Sequence, residues 1–238
     1  GLIGQRWNRA MDAGIHELTA TQCSRADLQA CANSEVDGSR MVFIVGLPRC
    51  GSTLTEQILH SHNAAHGIGE SELLPIVAAR FHERGENGTL LPISMKNLDE
   101  ESLAAAASEY IDKAALNAGD ATRIIDKQLG NYLYLGFIEK ALPGARIIHC
   151  RRNPMDQCLS AWSRQFPPGT NAWADELESA GELYCMYENL MEHWRTTLTA
   201  PMLELRYEDL VQDTEILSRR IIEFCDLEWD PACLKFWE

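Results

Sequence analysis

The segment Met41-Val42-Phe43-Ile44-Val45 is an unbroken apolar run that ends at Gly46. A strand with one wet face alternates apolar and polar residues. A run that is apolar at every position fits a strand covered on both faces, as in a parallel sheet. Next come Gly46-Leu47-Pro48-Arg49-Cys50-Gly51-Ser52-Thr53 and a helix predicted from about Ser52 to His60, with Leu54, Ile58 and Leu59 on its inner side. A glycine-bracketed loop between a buried strand and a helix gathers backbone amides at the helix N-terminus, where they cradle a phosphate-like anion. The Gly-x4-Gly spacing is that of a P-loop, but Ser52 stands where the Walker lysine would be. Positive charge in the loop therefore falls to Arg49, whose guanidinium offers forked hydrogen bonds to an oxyanion. Ser52 and Thr53 add hydroxyl donors. An ordinary strand-to-helix turn is the alternative reading of these residues.

The strand-then-helix order repeats along the chain. Arg123-Ile124-Ile125 is a short strand, and a helix from Leu133 to Leu142 stops at Pro143-Gly144. Arg146-Ile147-Ile148-His149-Cys150 is a second buried strand with a helix after Pro154. Met202 to Arg206 is a last strand, and Thr214 to Cys225 a closing helix. Between these, the pattern predicts a helix from Glu72 to His82, a surface loop from Arg84 to Lys96, and a helix carrying Leu103, Ala107, Tyr110, Ile111 and Ala114. Phe166-Pro167-Pro168-Gly169 breaks the chain. Trp173, Leu177, Ala180, Tyr184, Tyr187, Met191 and Trp194 then recur as one face of a long helix, a core-packing pattern. The expected fold is α/β, a P-loop-type doubly wound parallel sheet flanked by helices. The expected organisation is an N-terminal helical segment over 1–40, with Ser24 and Asp27 as a capping box, and a main domain over 41–238.

Composition narrows the function. The chain has 238 residues, 45% of them hydrophobic, enough for a sizeable core. A formal net charge of −14 excludes nucleic acid as a partner, since that surface must be basic. An anionic ligand then binds only where positive groups are gathered locally. None of the eight cysteines forms a CxxC pair, and several lie in apolar stretches. They read as buried free thiols of a reducing compartment. No stretch has the length of a membrane span and no leader opens the chain, so the expectation is a soluble, cytoplasmic protein. His60, His62 and His66 would need a continuous helix to share a metal. Gly67 and Gly69 interrupt it, so no metal site is expected.

A second anion site is predicted at Arg151-Arg152-Asn153-Pro154, where a buried strand ends, with Ser160 eight positions past Arg152 on the following helix. Open α/β sheets place ligands at the carboxyl ends of their strands. Two such sites on one sheet point to a nucleotide with phosphates at two positions.

Together these residues resemble a known family. Pro48-Arg49-Cys50-Gly51-Ser52-Thr53 is similar to the 5′-phosphosulfate loop of sulfotransferases that use 3′-phosphoadenosine 5′-phosphosulfate (PAPS). Arg152 and Ser160 match the family's 3′-phosphate pair. Gly69-Glu70, Asp126-Lys127, Ile147 to Arg152 and Arg206-Tyr207-Glu208-Asp209-Leu210 resemble a bacterial branch often fused to TPR repeats and similar to tyrosylprotein sulfotransferases. The likeness runs from about residue 41 to the end. Departures are Cys50 where Ser is usual, Ser52 where Thr is common, and Gln128-Leu129-Gly130 in place of Met-Pro-Asp.

The resemblance implies a PAPS-dependent transferase that moves a sulfuryl group to an acceptor hydroxyl on a peptide or small molecule, with PAP as product and no metal. It implies cofactor contacts from Arg49, Cys50, Gly51, Ser52, Thr53, Arg152, Ser160 and Tyr207. It implies catalytic roles for Glu70, Lys127 and Arg49. Glu70 stands 21 positions after Arg49, where that branch carries its acceptor-activating carboxylate, with Glu72 as the fallback. Lys127 follows a predicted strand that delivers it to the ligand-binding edge. The family also implies a further C-terminal segment closing over the nucleotide, and a homodimer is the expected assembly. Two other readings stay open: a P-loop small-molecule kinase, whose one acidic strand end would be Asp126, and a nucleotide-binding module without activity.

Overall fold

The computed structural model describes residues 6–85, 90–164, 166–167 and 170–237. Pro168 and Gly169 of the predicted chain break, and part of the predicted 84–96 loop, lie outside the described residues. In chain order the elements are α1 (Arg9–Gln22), α2 (Arg25–Ala30), β1 (Met41–Val45), α3 (Ser52–His60), β2 (Ala65–Gly69), α4 (Leu73–Ala78), α5 (Glu100–Ala114), β3 (Arg123–Asp126), α6 (Leu135–Ala141), β4 (Arg146–Arg151), α7 (Pro154–Trp162), α8 (Leu177–Thr197), β5 (Met202–Arg206), α9 (Tyr207–Gln212) and α10 (Thr214–Phe224).

The five strands form one parallel sheet in the order β2-β3-β1-β4-β5. β1 is central, which explains its lack of polar positions. Its side chains alternate between two cores: Met41, Phe43 and Val45 enter one, Val42 and Ile44 the other. The neighbours keep the same phase, with Ile124 and Ile147 on the first side and Ile125 and Ile148 on the second. The first core is covered by α5, α6 and α8, with Tyr110, Phe137, Tyr187 and Trp194 buried in it. The second is covered by α3 and α10 through Ile58, Leu59, Ile221 and Ile222. At roughly 2 kcal/mol per fully buried large apolar side chain, these two layers are the main favourable contribution to folding.

Several local expectations are corrected. β2 has no apolar pattern, yet Ala65–Gly69 pairs with β3 along the sheet edge. The helix expected over 72–82 is α4 plus a 3-10 turn at Ala79–Phe81. The helix expected from Leu133 begins instead with a 3-10 segment, Leu129–Tyr134, before α6. Trp173 sits in a separate 3-10 turn, Ala172–Asp175, so the long apolar face is not one helix, and Leu177 at the start of α8 is exposed. Residues 1–5 are not described. The N-terminal segment is helical over Arg9–Gln22 and Arg25–Ala30 but not over 31–40, with Ser24 Oγ accepting from the Asp27 amide at 3.2 Å. It shares the main core: α1 packs on α8, and Cys23 and Leu28 are buried there. Among the described residues no helix is long and apolar enough to cross a membrane.

Candidate active site

The loop after β1 is shaped by close approach. A Cβ on Gly46 would lie 2.7 Å from the Cys150 carbonyl oxygen and 2.9 Å from Cys50 Sγ. Arg49 has φ 74°, left-handed backbone that costs a non-glycine residue roughly 1–2 kcal/mol. Gly51, φ 94°, is the N-cap of α3 and supplies no side-chain cap, and the Ser52 amide at the first turn is bonded to the Cys50 sulfur. Ser52 is buried at the first turn and Thr53 is exposed beside it. The Cys50 side chain turns away from the cleft into the second core, 1% exposed, where the Cys150 thiol hydrogen-bonds it and holds its pKa below the ordinary value despite burial. Cys50 therefore offers a ligand its backbone, not its thiol.

β4 and α7 hold the loop from behind. Gln157, 3% exposed, donates to the carbonyls of Leu47 at 3.0 Å and Pro48 at 3.1 Å. Arg152 Nη1 donates to the Arg49 carbonyl at 3.3 Å, and Arg49 Nε donates to Ser160 Oγ at 3.0 Å. The two anion sites expected from sequence thus adjoin at Arg49. Arg152 also stacks 4.8 Å over the Tyr207 ring, whose edge lies 2.4 Å from where a Gly51 Cβ would be. Its Nε is buried with no partner. Arg151 is not available to a ligand: it pairs with Glu204 at 2.9 Å and Glu188 at 2.8 Å. Asn153 caps α7, its Oδ1 accepting from the Met155 amide at 3.0 Å, with Pro154 at the first helical position.

At the ends of β2 and β3, Lys127 Nζ donates to Glu70 Oε1 at 2.7 Å and lies 3.6 Å from Glu56 Oε2. The Lys127 side chain is 8% exposed, that of Glu70 65%. Glu72, the fallback, accepts from the Gln128 side-chain amide at 2.7 Å. Asp126 faces the core. Its carboxylate accepts from Tyr110 Oη at 2.7 Å and the Gln128 amide at 2.9 Å, and burial, only partly offset by these bonds, raises its pKa to about 6. A kinase reading would need that carboxylate on a magnesium ion; here both its oxygens serve Tyr110 and the chain turn. The three histidines stand apart in role. His62 is buried on the Glu228 carbonyl at 2.7 Å, and His60 accepts from the Gly67 amide at 2.9 Å with the His66 ring beside it. Among the described residues no group of three or more His, Cys, Asp or Glu is placed to hold a metal.

A cleft of about 1000 Å³ brings the loop residues Arg49, Ser52 and Thr53 together with Glu70 and Glu72, while Lys127, Arg152, Ser160 and Tyr207 do not line it. Its lining also includes the aromatic residues Tyr132, Phe166 and Trp173, and Asp12, Ile15 and His16 from α1. His16 is buried, its ring bonded to Tyr132 Oη at 2.9 Å and the Asp12 carbonyl at 2.7 Å, and burial lowers its pKa. The part played by α1, by Gln157 and by Glu56 was not foreseen. No motif marks them, since each acts through a tertiary contact.

With this geometry in place, relatives can be compared. A protein of unassigned role from Aquifex aeolicus is 32% identical over 205 residues, 84% of this chain and 27% of the relative. Protein-tyrosine sulfotransferase A of Caenorhabditis elegans is 24% identical over 82% of this chain and 52% of the relative. The chain thus spans between about a quarter and a half of the length of these relatives. Among solved structures, the sulfotransferase domain of the Synechococcus olefin synthase superposes with a TM-score of 0.62 at 22% identity, covering 87% of this chain and 81% of that domain. The sheet is therefore the α/β sulfotransferase fold. The profile described as the sulfotransferase family matches residues 41–231, and the chain belongs to that family.

Proposed function

We propose that the chain transfers a sulfuryl group from PAPS to an acceptor hydroxyl brought into the cleft beside Glu70. The observation that carries this reading is the placing of a phosphate loop and a base–lysine pair together: Arg49, Ser52 and Thr53 line the same cleft as Glu70, and Lys127 is 2.7 Å from Glu70. The residues fit a doubly phosphorylated nucleotide. Gly51 gives α3 no side-chain cap, and the buried Arg152 Nε has no partner, an arrangement that costs roughly 1–3 kcal/mol until an anion satisfies it. In this reading Arg49 and the start of α3 hold the 5′-phosphosulfate, and Arg152 with Ser160 the 3′-phosphate. The Cys50 and Gly51 contribution is backbone, and Tyr207 supports Arg152 from below.

The reaction breaks the sulfur–oxygen bond to the 5′-phosphate and forms one to the acceptor oxygen. That oxygen must lose its proton, and Glu70, exposed at the cleft mouth, is the carboxylate placed to take it. Lys127 and Arg49 supply the positive charge that the departing phosphate oxygen requires. The aromatic part of the lining, Tyr132, Phe166 and Trp173, suits a ring-bearing acceptor, and the likeness to protein-tyrosine sulfotransferase A supports a phenol.

The test pairs a PAPS turnover assay on a simple phenol with PAP calorimetry. Glu70→Gln should lower kcat by roughly 10² to 10⁴, the yield of general-base catalysis, and leave PAP affinity within about two-fold. Glu72→Gln should change little. Binding of ATP with magnesium in preference to PAP would move the reading to a kinase. PAP binding with no turnover of PAPS would leave a nucleotide-binding module.

A further inference from the structure

We infer that Glu56 is the positioning residue of this site, one carboxylate that fixes both Glu70 and Lys127. The inference rests on the sulfotransferase reading for its activity arm and on geometry alone for its structural arm. Glu56 lies on α3, the helix that begins in the phosphate loop, and its side chain is 15% exposed. Its two oxygens do different things. Oε1 accepts from the Gly69 amide at 3.0 Å, and Oε2 faces Lys127 Nζ at 3.6 Å. Gly69 is the last residue of β2 and directly precedes Glu70.

β2 is an edge strand, and its outward amides need partners. Two of them are met by α3: Gly69 by Glu56 and, one helical turn on, Gly67 by His60 Nδ1 at 2.9 Å. The contact is tight. A Cβ on Gly67 would stand 3.1 Å from Glu56 Oε1 and 3.4 Å from His60 Nδ1, which accounts for a glycine there. The helix that carries the anion loop is thereby riveted to the strand that carries Glu70. The loop and the carboxylate keep one distance.

The charge of Glu56 has a second use. In the ligand-free chain Lys127 is shared between Glu70 and Glu56. When an acceptor hydroxyl engages Glu70, Glu56 remains as the half-buried counter-charge that keeps the ammonium in place beside the cleft. A buried ammonium with one fixed carboxylate holds its orientation far better than one with none.

The experiment has two arms. Amide hydrogen exchange on the ligand-free chain reads the rivet. Gly69 should exchange at least ten-fold faster in Glu56→Ala and close to the wild-type rate in Glu56→Gln, whose side-chain oxygen still accepts. Unchanged Gly69 exchange in a folded Glu56→Ala overturns the inference whatever the chain's activity. The second arm is PAPS turnover. Glu56→Gln keeps the strand bond but drops the charge, so kcat should fall roughly 10- to 100-fold, the cost of a misplaced catalytic group, with PAP affinity and acceptor KM within about two-fold. In a Lys127→Ala background the same substitution should add almost nothing, because it acts through Lys127. A loss of kcat that adds in full to that of Lys127→Ala, or wild-type kcat in Glu56→Gln, overturns the positioning role. Absence of turnover in the wild-type chain would count against the sulfotransferase reading instead, and the exchange arm would still decide whether Glu56 fixes the strand.

Discussion

Arg152→Ala should separate stability from binding, leaving the first nearly unchanged and weakening the second. In the ligand-free chain Arg152 makes one 3.3 Å bond to the Arg49 carbonyl and stacks on Tyr207, while its buried Nε has no partner. The bond and the stack together stabilise by about 1–2 kcal/mol, and the orphaned donor costs a similar amount. Removing the side chain therefore leaves folding stability within about 1 kcal/mol of wild type. Binding is another matter. A phosphate at this place would gain charge-assisted bonds from the free face of the guanidinium, roughly 2–3 kcal/mol, which is about 30- to 150-fold in affinity. Calorimetric titration with PAP, alongside urea unfolding without it, reads both quantities on one preparation. Arg152→Lys should recover charge but not the fork, and so only part of the affinity. PAP affinity within two-fold of wild type in a stably folded Arg152→Ala would refute the assignment of this arginine to a phosphate. A large loss of stability without ligand would refute the claim that its Nε is held in reserve.

Gly51→Ala should destabilise by roughly 1–2 kcal/mol from its left-handed backbone alone, and more from a Cβ 2.4 Å from the Tyr207 ring; adding Tyr207→Ala should relieve only the second part, as urea unfolding of the pair would show. Asp126 has its pKa raised from 3.8 to about 6 by burial, so its contribution to stability is fully present below about pH 4 and is lost as pH rises through about 6. Asp126→Asn should flatten that slope, measured as unfolding free energies at several pH values. Glu204 runs the other way: burial pushes its pKa up, but bonds from His149 and Arg195 and the Arg151 charge outweigh it and hold the carboxyl well below its ordinary value. Its contribution is present above about pH 4.5 and lost as pH falls, so Glu204→Gln should make acid unfolding less steep.

What the sequence disclosed, and what it hid, follows from how each element is stabilised. β1, β3 and β4 are covered on both faces, so burial wrote apolar residues at consecutive positions and made them visible. β2 was invisible because its order comes from neighbours: β3 on one side, His60 and Glu56 on the other, and a sequence of Ala-His-Gly-Ile-Gly that carries no period. The phosphate loop was legible because glycines, an arginine and two hydroxyls stand at fixed offsets from a strand. Of the pair Arg151-Arg152, the family resemblance singles out Arg152 with Ser160, whereas the strand-end position alone does not tell the two arginines apart. Only the Glu188 and Glu204 carboxylates, distant in sequence, show that Arg151 is spent on an internal network. The resemblance puts Cys50 among the loop's cofactor contacts without saying where its side chain turns. Its companion in the core, Cys150, arrives from 100 positions away, and no local pattern signals it.

The same geometry bears on how a chain of net charge −14 would hold the proposed anionic ligand. Long-range attraction is not available to it, so selectivity must be local, and at close range the carbonyl oxygens of a loop, each with a partial negative charge, also repel an anion. Here three successive carbonyls are drawn away by donors from one unit. Leu47 and Pro48 accept from Gln157, and Arg49 accepts from Arg152. Each of these carbonyls is turned toward α7 and the end of β4, so the cleft side of the loop is left to side-chain donors and to the start of α3, where Gly51 supplies no side-chain cap. Gln157 is neutral, and its amide spends both its bonds on the backbone. It adds no charge to the site, yet it decides which side of the loop is negative. Beside the arginines, the direction in which the loop's own carbonyl dipoles are held thus bears on how an anion would be received.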